Sequence, residues 1–391
     1  MQIAEVRTYV LKPAGRRAYL GTLEDGRELT DDLGYVVREP WRSLYSSRFE
    51  TMLVRVTADD GTSGWGEALA PVGPEIPAAV VDRLLGPWLR GRDPRGVRPL
   101  WHGLRDLMRE RGHLVGHQAD ALAAVDIALW DLHGRITGLP VAELLGGAHR
   151  TVVPAYVSGL PVPTDAERAA LAAEWAERGA TRVKLALGKG VDADLATFDA
   201  VAGAAPSLAV AVDAHWAYDL GDAVRLGREL DRRGALFYEA PLAPEDVAGH
   251  RDLAGRLATP VAVGEALRNR YEFADWLGRR ALRLAQPDVA RTGLTEAMAI
   301  AEVAAAHHVP VAYHHSVGLG VALAAGVHAS AVTASTPYFE FQPDTVAVAG
   351  SILRTPLTAG PTGFAVPGGP GLGVEVDAER VEELAERSVE A

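Results

Sequence analysis

Seven polar side chains that could do chemistry recur at near-equal intervals along the chain. They are Lys184, Asp213, Glu239, Glu265, Asp288, His315 and Glu340, separated by 29, 26, 26, 23, 27 and 25 residues. A strand, a helix and two loops together need about 25 to 30 residues, so this spacing predicts one functional group at the C-terminal end of each successive strand of a (β/α) barrel.

Three of these residues are carboxylates that end apolar, strand-like segments. Asp213 ends SLAVAVD, Glu239 ends GALFYE and Glu265 ends TPVAVGE. Three anionic groups that converge repel one another unless a divalent cation lies among them, and an all-oxygen set suits Mg²⁺ better than Zn²⁺. The sequence contains no cysteine, which removes thiolate ligands and cysteine nucleophiles. We therefore predict a Mg²⁺ site here, the alternative for each carboxylate being a surface or salt-bridged position.

Histidines near these carboxylates are candidates for proton transfer, because the pKa of an imidazole lies near neutrality. His215 follows Asp213 by two residues and faces the same cavity if the strand continues. His314 and His315 end the seventh predicted strand, and alternation of side chains points only one of them inward. We expect Asp288, one strand earlier, to orient that histidine, a plain salt bridge being the alternative. The sequence does not decide between the two histidines; we assign His315 a catalytic role and His314 a substrate contact.

Length, composition and charge exclude several other classes of protein. A chain of 391 residues accommodates one barrel of about 250 residues and a smaller domain. The net charge of −12 argues against a nucleic-acid partner, and no apolar run reaches the roughly 18 residues of a membrane span. The N-terminus alternates like a strand and lacks the features of a signal peptide. We expect a cytoplasmic homo-oligomer with a small-molecule substrate and with no nucleic-acid or membrane partner.

The pattern of the chain divides it into three parts. Residues 1–115 show strands at 1–10 and 51–60 and helical spacing at 75–92 and 97–110, which indicates an α+β domain. Residues 116–345 alternate strands with alanine-rich amphipathic segments, which predicts a parallel barrel. Residues 346–391 are rich in Gly and Pro, end in a short charged helix, and are expected to pack back against the first domain. The predicted barrel strands lie near 153–158, 181–186, 208–213, 235–239, 260–264, 282–286, 309–314 and 336–341.

The segment from Gly15 to Ser47 is polar, aromatic and rich in arginine without a clear period. Loops of this length are often functional lids. Its side chains could meet the hydroxyls or a distal carboxylate of a substrate, although surface or packing roles are the common alternative. The substrate contacts that we predict in it are Arg16, Tyr19, Trp41 and Tyr45.

Several short motifs, taken together and in order, resemble one family nearly end to end. The motifs are Gly64-Trp65-Gly66-Glu67-Ala68, Asp126-Ile127-Ala128-Leu129-Trp130-Asp131-Leu132, Leu144-Leu145-Gly146-Gly147, Gln286-Pro287-Asp288, His315-Ser316 and Pro370-Gly371-Leu372-Gly373. The chain is similar to the enolase superfamily, in its mandelate racemase/muconate lactonizing enzyme family. The resemblance implies an α/β fold, a modified TIM barrel of the (β/α)₇β type with an N-terminal α+β capping domain.

The resemblance also implies a chemistry, the removal of a proton next to a substrate carboxylate to give an enediolate. Mg²⁺ would be bound by the residues that match Asp213, Glu239 and Glu265. Many members carry Lys-x-Lys on the second strand, but this chain reads Lys184-Leu185-Ala186, so the usual lysine base is missing. Lys184 then supplies positive charge to the carboxylate. His215 stands where sugar-acid dehydratases resembling galactonate and mannonate dehydratases carry a histidine base.

The leading hypothesis is a Mg²⁺-dependent sugar-acid dehydratase that forms a 2-keto-3-deoxy acid. His215 would take the α-proton, His315 would protonate the departing β-hydroxyl, Asp288 would orient His315, and Glu340 would hydrogen-bond the enediolate. One alternative is a racemase, epimerase or lactone cycloisomerase that uses the two histidines as opposed acid and base. Another is a catalytically inactive barrel that binds a metabolite or serves as a structural partner.

Overall fold

The structure, a computed structural model, describes residues 1–13, 26–30, 34–38 and 43–390, and for residues 26–30 and 387–390 it describes the backbone only. The predicted substrate contacts Arg16, Tyr19 and Trp41 therefore lie outside the described residues. Tyr45 lies within them. No helix in these ranges is long and apolar enough to cross a membrane.

The N-terminal part combines two antiparallel sheets with short helices. Strand order in the larger sheet is β16-β1-β5-β6, and the smaller sheet contains β2, β3 and β4. The strands are β1 (Ile3–Leu11), β2 (Gly26–Thr30), β3 (Tyr35–Arg38), β4 (Ser43–Ser46), β5 (Thr51–Ala58), β6 (Ser63–Ala68) and the C-terminal β16 (Ala385–Glu390). The helices are α1 (Glu75–Val80), which continues as a π-helical segment (Val81–Leu85), then α2 (Gly86–Leu89), α3 (Val97–Asp106), α4 (His117–Thr137) and α5 (Val141–Leu144).

The central part is a closed parallel barrel, which confirms the predicted fold. Six strands pair in sequence order, β7 (Val152–Ser158), β8 (Arg182–Ala186), β9 (Ala209–Asp213), β10 (Tyr238–Glu239), β11 (Val261–Val263) and β12 (Leu284–Ala285). The seventh position is held by two parallel bridges, Ala285 with Val311 and Asp288 with His314. The eighth strand, β13 (Phe339–Phe341), pairs parallel with β7 and so returns the sheet to its first strand.

Helices alternate with these strands, as the sequence pattern predicts. They are α6 (Asp165–Glu177), α7 (Val191–Ala204), α8 (Leu220–Arg233), α9 (Val247–Ala254), α10 (Arg270–Gly278), α11 (Val289–Ala306), α12 (Val321–Val332) and α13 (Pro343–Ala349). The C-terminal segment adds β14 (Ala359–Gly360), β15 (Gly363–Ala365) and α14 (Ala378–Leu384). It then ends in β16, which pairs with β1 of the N-terminal sheet.

The buried carboxylate of Asp131 joins helix α4 to the cap and to the C-terminal segment. This side chain accepts hydrogen bonds from the backbone N–H of Trp65 at 2.8 Å and of Leu372 at 2.8 Å. Arg135, one turn later, contacts it at 3.0 Å. One carboxylate therefore holds together a cap strand, helix α4 and the C-terminal segment.

A second buried carboxylate, Glu67 on β6, caps the N-terminus of the barrel helix α12. It accepts the backbone N–H of Leu319 at 2.5 Å and of Ala322 at 2.9 Å, and the hydroxyl of Thr51 at 3.0 Å. The first N–H groups of a helix lack partners within the helix and favour an anion. The cap strand is thus anchored on the barrel at a fixed position.

Strand β6 approaches helix α4 so closely that two of its positions need glycine. A Cβ on Gly64 would lie 2.3 Å from the carbonyl oxygen of Ala128, and a Cβ on Gly66 would lie 1.8 Å from that of Ala124. Both obstacles are backbone atoms, which cannot move aside as a flexible side chain does. The close packing of β6 on α4 explains the glycines of the Gly64-Trp65-Gly66 motif.

We predict that Gly66→Ala lowers the free energy of unfolding by about 3 kcal/mol, because the added methyl group forces strand and helix apart. The midpoint of thermal or urea unfolding measures this effect. The matched control is Gly203→Ala in α7, where a Cβ meets nothing within 4 Å. Alanine there should be neutral or stabilise by up to about 1 kcal/mol. Equal stability of the two variants would contradict the close-packing account.

Candidate active site

Lys184 lies at the centre of the carboxylates on the barrel strands. Its Nζ is 3.0 and 3.1 Å from the two carboxylate oxygens of Glu239, 3.2 Å from Glu340 Oε1 and 3.8 Å from Asp213 Oδ2. The residue is only 1% exposed. On β9 its register partner is Ala211, two residues before Asp213, so the long side chain reaches along the barrel toward the strand ends. An ammonium group in this position offsets part of the surrounding negative charge.

The remaining negative charge is not fully compensated. Asp213 and Glu239 are register partners on adjacent strands. Burial raises the pKa of each carboxyl to about 7, an effect that Lys184 opposes and that repulsion from the other carboxylates reinforces. Glu340 differs, because Lys184 and His314 outweigh its burial and lower its pKa to about 2. The raised pKa values mean that the ionised forms of these two carboxyl groups are disfavoured. A further cation bound beside them would stabilise their negative charge.

The arrangement of donor atoms suits a hard divalent cation. Ligand atoms of Glu239, Glu265 and His314 all lie within 4.8 Å of one another, and Asp213 adjoins Glu239 across the sheet. Carboxylate oxygens are the preferred ligands of Mg²⁺. The three predicted ligands therefore come together at one end of the barrel, with His314 as an additional neighbour.

His215 lies beyond the end of strand β9, so the continuation on which its expected orientation depended does not occur. The strand ends at Asp213, and His215 and Trp216 adopt positive φ angles of 50° and 60°. Two consecutive non-glycine residues in the left-handed region are strained, each by about 1 kcal/mol or more. The backbone N–H of His215 donates to Asp213 Oδ1 at 3.0 Å, and its ring Nδ1 lies 3.3 Å from the carbonyl oxygen of Asp213. Although its side chain is 14% exposed, burial lowers its pKa.

Three residues that contact the carboxylates were not predicted to do so from the sequence. Trp216 donates its indole N–H to Glu265 Oε1 at 3.0 Å, Gln286 donates its amide to Glu239 Oε2 at 2.7 Å, and the Ser158 hydroxyl donates to Glu340. Gln286 had a usable signal, because it lies two residues before Asp288 at the end of the sixth strand. Trp216 had only its position beside His215, and Ser158 had none.

Asp288 orients His314, and not His315 as expected. His314 Nδ1 is 2.6 Å from Asp288 Oδ2, and its Nε2 is 3.1 Å from Glu265 Oε2. Burial disfavours the charge on His314, but the surrounding Glu340, Asp288 and Glu265 raise its pKa well above the ordinary value. The carboxylates that His314 faces therefore favour its protonated form.

The ring of His315 lies 6.2 Å from the ring of Phe339, and its buried Nε2 has no hydrogen-bond partner among the described residues. Burial lowers its pKa to about 4. Its backbone N–H donates to Glu340 Oε2 at 3.2 Å, so its main chain and not its ring takes part in the site. Alternation of side chains along the strand explains why one histidine faces inward and its neighbour does not.

Among the substrate contacts predicted in the cap, Tyr45 lies within the described residues, on strand β4. Burial and the negative charges of Asp213 and Glu265 raise its pKa to about 12, while Arg38 opposes the shift. The cap strand thus lies close enough to the carboxylates for their fields to act on its tyrosine.

Comparison with known proteins identifies both parts of the chain. The description "Enolase C-terminal domain-like" matches residues 167–381, and "Mandelate racemase / muconate lactonizing enzyme, N-terminal domain" matches residues 38–146. A D-galactarolactone cycloisomerase of Agrobacterium fabrum is 34% identical over 88% of this chain and 93% of its own length. A D-galactonate dehydratase of Xanthomonas axonopodis pv. citri is 29% identical over 88% and 93% of the two chains. The crystal structure of a racemase from Streptomyces coelicolor A3(2) with bound magnesium is 26% identical, covers 98% of this chain and 99% of its own, and has a TM-score of 0.84.

We predict that Mg²⁺ stabilises the folded protein and that this effect grows between about pH 6 and about pH 8. The folded-state pKa of Asp213 and Glu239, about 7, lies above their ordinary values, so the metal-free protein loses stability as pH rises from about 4 to about 7. We expect Mg²⁺ to bind the deprotonated carboxylates and to raise the free energy of unfolding by about 2.7 kcal/mol at 100 times its Kd. Thermal unfolding with MgCl₂ and with EDTA measures the difference.

Asp213→Asn should abolish this response without loss of metal-free stability, because the amide keeps the shape and removes the buried charge. The control is Asp192→Asn, whose side chain is 92% exposed and which should retain the full response. An unchanged Mg²⁺ response in Asp213→Asn would exclude this metal site.

Proposed function

Because this chain belongs to the enolase superfamily, in the mandelate racemase/muconate lactonizing enzyme family, we propose that it is a Mg²⁺-dependent lyase acting on a sugar acid. It removes the proton α to the carboxylate and then expels the oxygen on the β-carbon. The observation that carries the proposal is that the rings of two histidines adjoin predicted metal ligands, His215 Nδ1 at 3.2 Å from Asp213 and His314 Nε2 at 3.1 Å from Glu265. The dehydratase relative and the magnesium-bound racemase support it.

Asp213, Glu239 and Glu265 would hold the metal ion. When bound, Mg²⁺ supplies positive charge to the substrate carboxylate, which becomes more negative as the α-proton leaves. Lys184 adds a fixed positive charge at the same end of the barrel. Glu340 accepts the Ser158 hydroxyl and contacts Lys184 at 3.2 Å, so we assign it to positioning Lys184 in place of the expected contact with the enediolate.

His215 is the general base of the proposal. With its proton on Nδ1, the ring donates to the carbonyl oxygen of Asp213 and places a lone pair on Nε2. Nε2 takes the α-proton, and the electron pair of the C–H bond moves toward the carboxylate to form the enediolate. The left-handed turn at His215 and Trp216 fixes this ring next to a predicted metal ligand.

His314 replaces His315 as the general acid. Asp288 holds its Nδ1–H, and the proton to be donated is on Nε2, which in the free site lies 3.1 Å from Glu265 Oε2. As the enediolate collapses, the C–O bond at the β-carbon breaks and the leaving hydroxyl takes the proton from Nε2 and departs as water. The resulting enol tautomerises to a 2-keto-3-deoxy acid.

A second candidate function, lactone cycloisomerisation, is favoured by the relative at 34% identity. Its first step is the same proton abstraction by His215. If the β-oxygen belongs to a lactone ring, its departure opens the ring, no water is lost, and the product is an isomer of the substrate. The barrel residues serve both reactions, so the substrate decides between them.

We predict that a set of sugar acids and their lactones, incubated with enzyme and Mg²⁺, gives a semicarbazide-reactive keto acid from at least one member. Mass spectrometry separates the two candidates, because dehydration lowers the mass by one water and cycloisomerisation leaves it unchanged. The control is the same incubation with EDTA. Deuterium incorporation at the α-carbon in D₂O without any keto product would instead establish a racemase or epimerase, and absence of both would favour an inactive barrel.

Variants of His215 and His314 should separate removal of the α-proton from loss of the leaving group. His215→Asn should abolish exchange of the α-proton with solvent deuterium and lower kcat by about 10³-fold or more, because no base remains. His314→Asn should retain exchange but form keto acid at least about 100-fold more slowly, because the leaving group is not protonated. NMR in D₂O follows both. The control His315→Asn should retain exchange, and a loss of exchange there but not in His215→Asn would reverse the assignment.

A further inference from the structure

Trp216 links the ends of the three strands that carry the predicted metal ligands. It follows Asp213, the last residue of β9, in the same turn. Its backbone N–H donates to the carbonyl oxygen of Ala240 at 2.6 Å, and Ala240 directly follows Glu239 at the end of β10. Its indole N–H donates to Glu265 Oε1 at 3.0 Å, just beyond the end of β11. The backbone and the side chain of one residue therefore tie these strand ends together.

The hydrogen bond between Trp216 and Ala240 joins two strained positions. Trp216 has a φ angle of 60° and Ala240 a φ angle of 47°, both in the left-handed region that residues other than glycine rarely adopt. Such a conformation persists where the surrounding structure holds it, and it is typical of functional sites. The strain on both sides of this bond indicates that the two loops are held against one another.

The indole ring of Trp216 is supported by a buried histidine. The ring of His250, on α9, lies 6.1 Å from it in an edge-to-face arrangement. His250 is fully buried, and its Nδ1 lies 2.8 Å from the carbonyl oxygen of Asp246. Because a carbonyl oxygen only accepts, Nδ1 carries the proton and the imidazole has a fixed orientation. Trp276 packs against the same imidazole at 4.8 Å. Packing therefore sets the direction in which Trp216 presents its indole N–H.

The two carboxylate oxygens of Glu265 have different neighbours. Oε1 accepts the indole N–H of Trp216, whereas Oε2 lies 3.1 Å from His314 Nε2. The same Nε2 is 4.0 Å from Glu340 Oε2, so Glu265 Oε2 lies on the side of the other carboxylates. A hydrogen bond to an ionised carboxylate fixes its rotation and reduces the charge that the bonded oxygen can offer to a cation. Oε2 is therefore the oxygen of Glu265 that is available as a ligand.

Mg²⁺ and Ca²⁺ differ in what they require of a carboxylate. Mg²⁺ is small and demands a near-octahedral arrangement, which the two closely spaced oxygens of one carboxylate do not fit, whereas Ca²⁺ takes more ligands and readily accepts both oxygens. We propose that Trp216 is a positioning residue that keeps Glu265 a one-oxygen ligand and thereby makes the site selective for Mg²⁺ over Ca²⁺. The inference rests on the proposed function for the presence of a metal ion, but on no step of catalysis.

Calorimetric titration of the metal-free protein with MgCl₂ and with CaCl₂, in the absence of substrate, tests the proposal. The unmodified protein should bind Mg²⁺ about tenfold or more tightly than Ca²⁺. Trp216→Phe keeps an aromatic ring beside His250 but removes the N–H, which frees Glu265 Oε1 for the metal. Its Kd for Mg²⁺ should rise about fivefold or more, the order expected for one lost hydrogen bond to a charged group, while its Kd for Ca²⁺ stays unchanged or falls.

Trp276→Phe is the matched control, because it shortens the other indole that packs on His250 and should leave both Kd values unchanged. Tryptophan fluorescence gives a readout that a general loss of stability does not move. Mg²⁺ should change the emission of the unmodified protein and of Trp276→Phe, and this change should disappear in Trp216→Phe at Mg²⁺ concentrations that saturate the calorimetric signal. A change that persists undiminished in Trp216→Phe would contradict the placement of this indole beside a metal ligand.

Equal affinity of the unmodified protein for the two ions, or binding of neither, overturns the inference, and this result does not depend on the folding of any variant. An equal shift of both Kd values in Trp216→Phe, or no shift, overturns it as well. Turnover of a sugar acid together with such a result would leave the proposed function standing. A preference for Mg²⁺ that depends on Trp216, without turnover of any acid, would support the selectivity and refute the proposed function.

Discussion

Buried negative charge is the constraint on which the C-terminal end of the barrel depends. Asp213, Glu239 and Glu340 are almost fully buried, and Glu265 lies beside them. Each ionised carboxylate taken out of water costs several kcal/mol unless positive charge compensates it. Lys184 and His314 provide part of that charge, and a divalent cation would provide the rest. The metal-free fold therefore carries a remaining electrostatic cost that a bound cation would relieve, a pattern typical of functional sites.

Buried carboxylates elsewhere in the molecule show the contrast. Asp131 and Glu67 accept backbone N–H groups from separate elements, and Asp126 accepts the backbone N–H and the hydroxyl of Thr295 at 2.8 and 2.6 Å. Glu67 and Asp126 meet neutral donors, and Asp131 meets two backbone N–H groups and one cation, Arg135 at 3.0 Å, so none of the three faces a cluster of other acids. The carboxylates at the strand ends instead face one another. Close contact with other acids thus distinguishes the carboxylates of the proposed active site from those that join elements of the fold.

The sequence predicted where the polar residues of the barrel lie along the chain better than it predicted which residues they contact. Spacing of 23 to 29 residues located the strand ends, because each βα unit has a nearly fixed length. The choice between His314 and His315 depended on the register of a strand that makes only two bridges, at Val311 and His314, and the interval alone could not supply it. The contact of Gln286 with Glu239 is a tertiary pairing across 47 residues, which no local pattern encodes.

The turn at His215 and Trp216 shows why strain is retained beside the carboxylates. The backbone of His215 binds Asp213, and the indole of Trp216 binds Glu265, so two consecutive residues contact two of the predicted metal ligands. An extended strand would alternate these side chains to opposite faces of the sheet. The left-handed conformation removes that alternation and lets both residues serve one site. The proposed base is therefore held at a fixed position relative to the predicted metal ligands, and these contacts offset the strain of two non-glycine residues at positive φ.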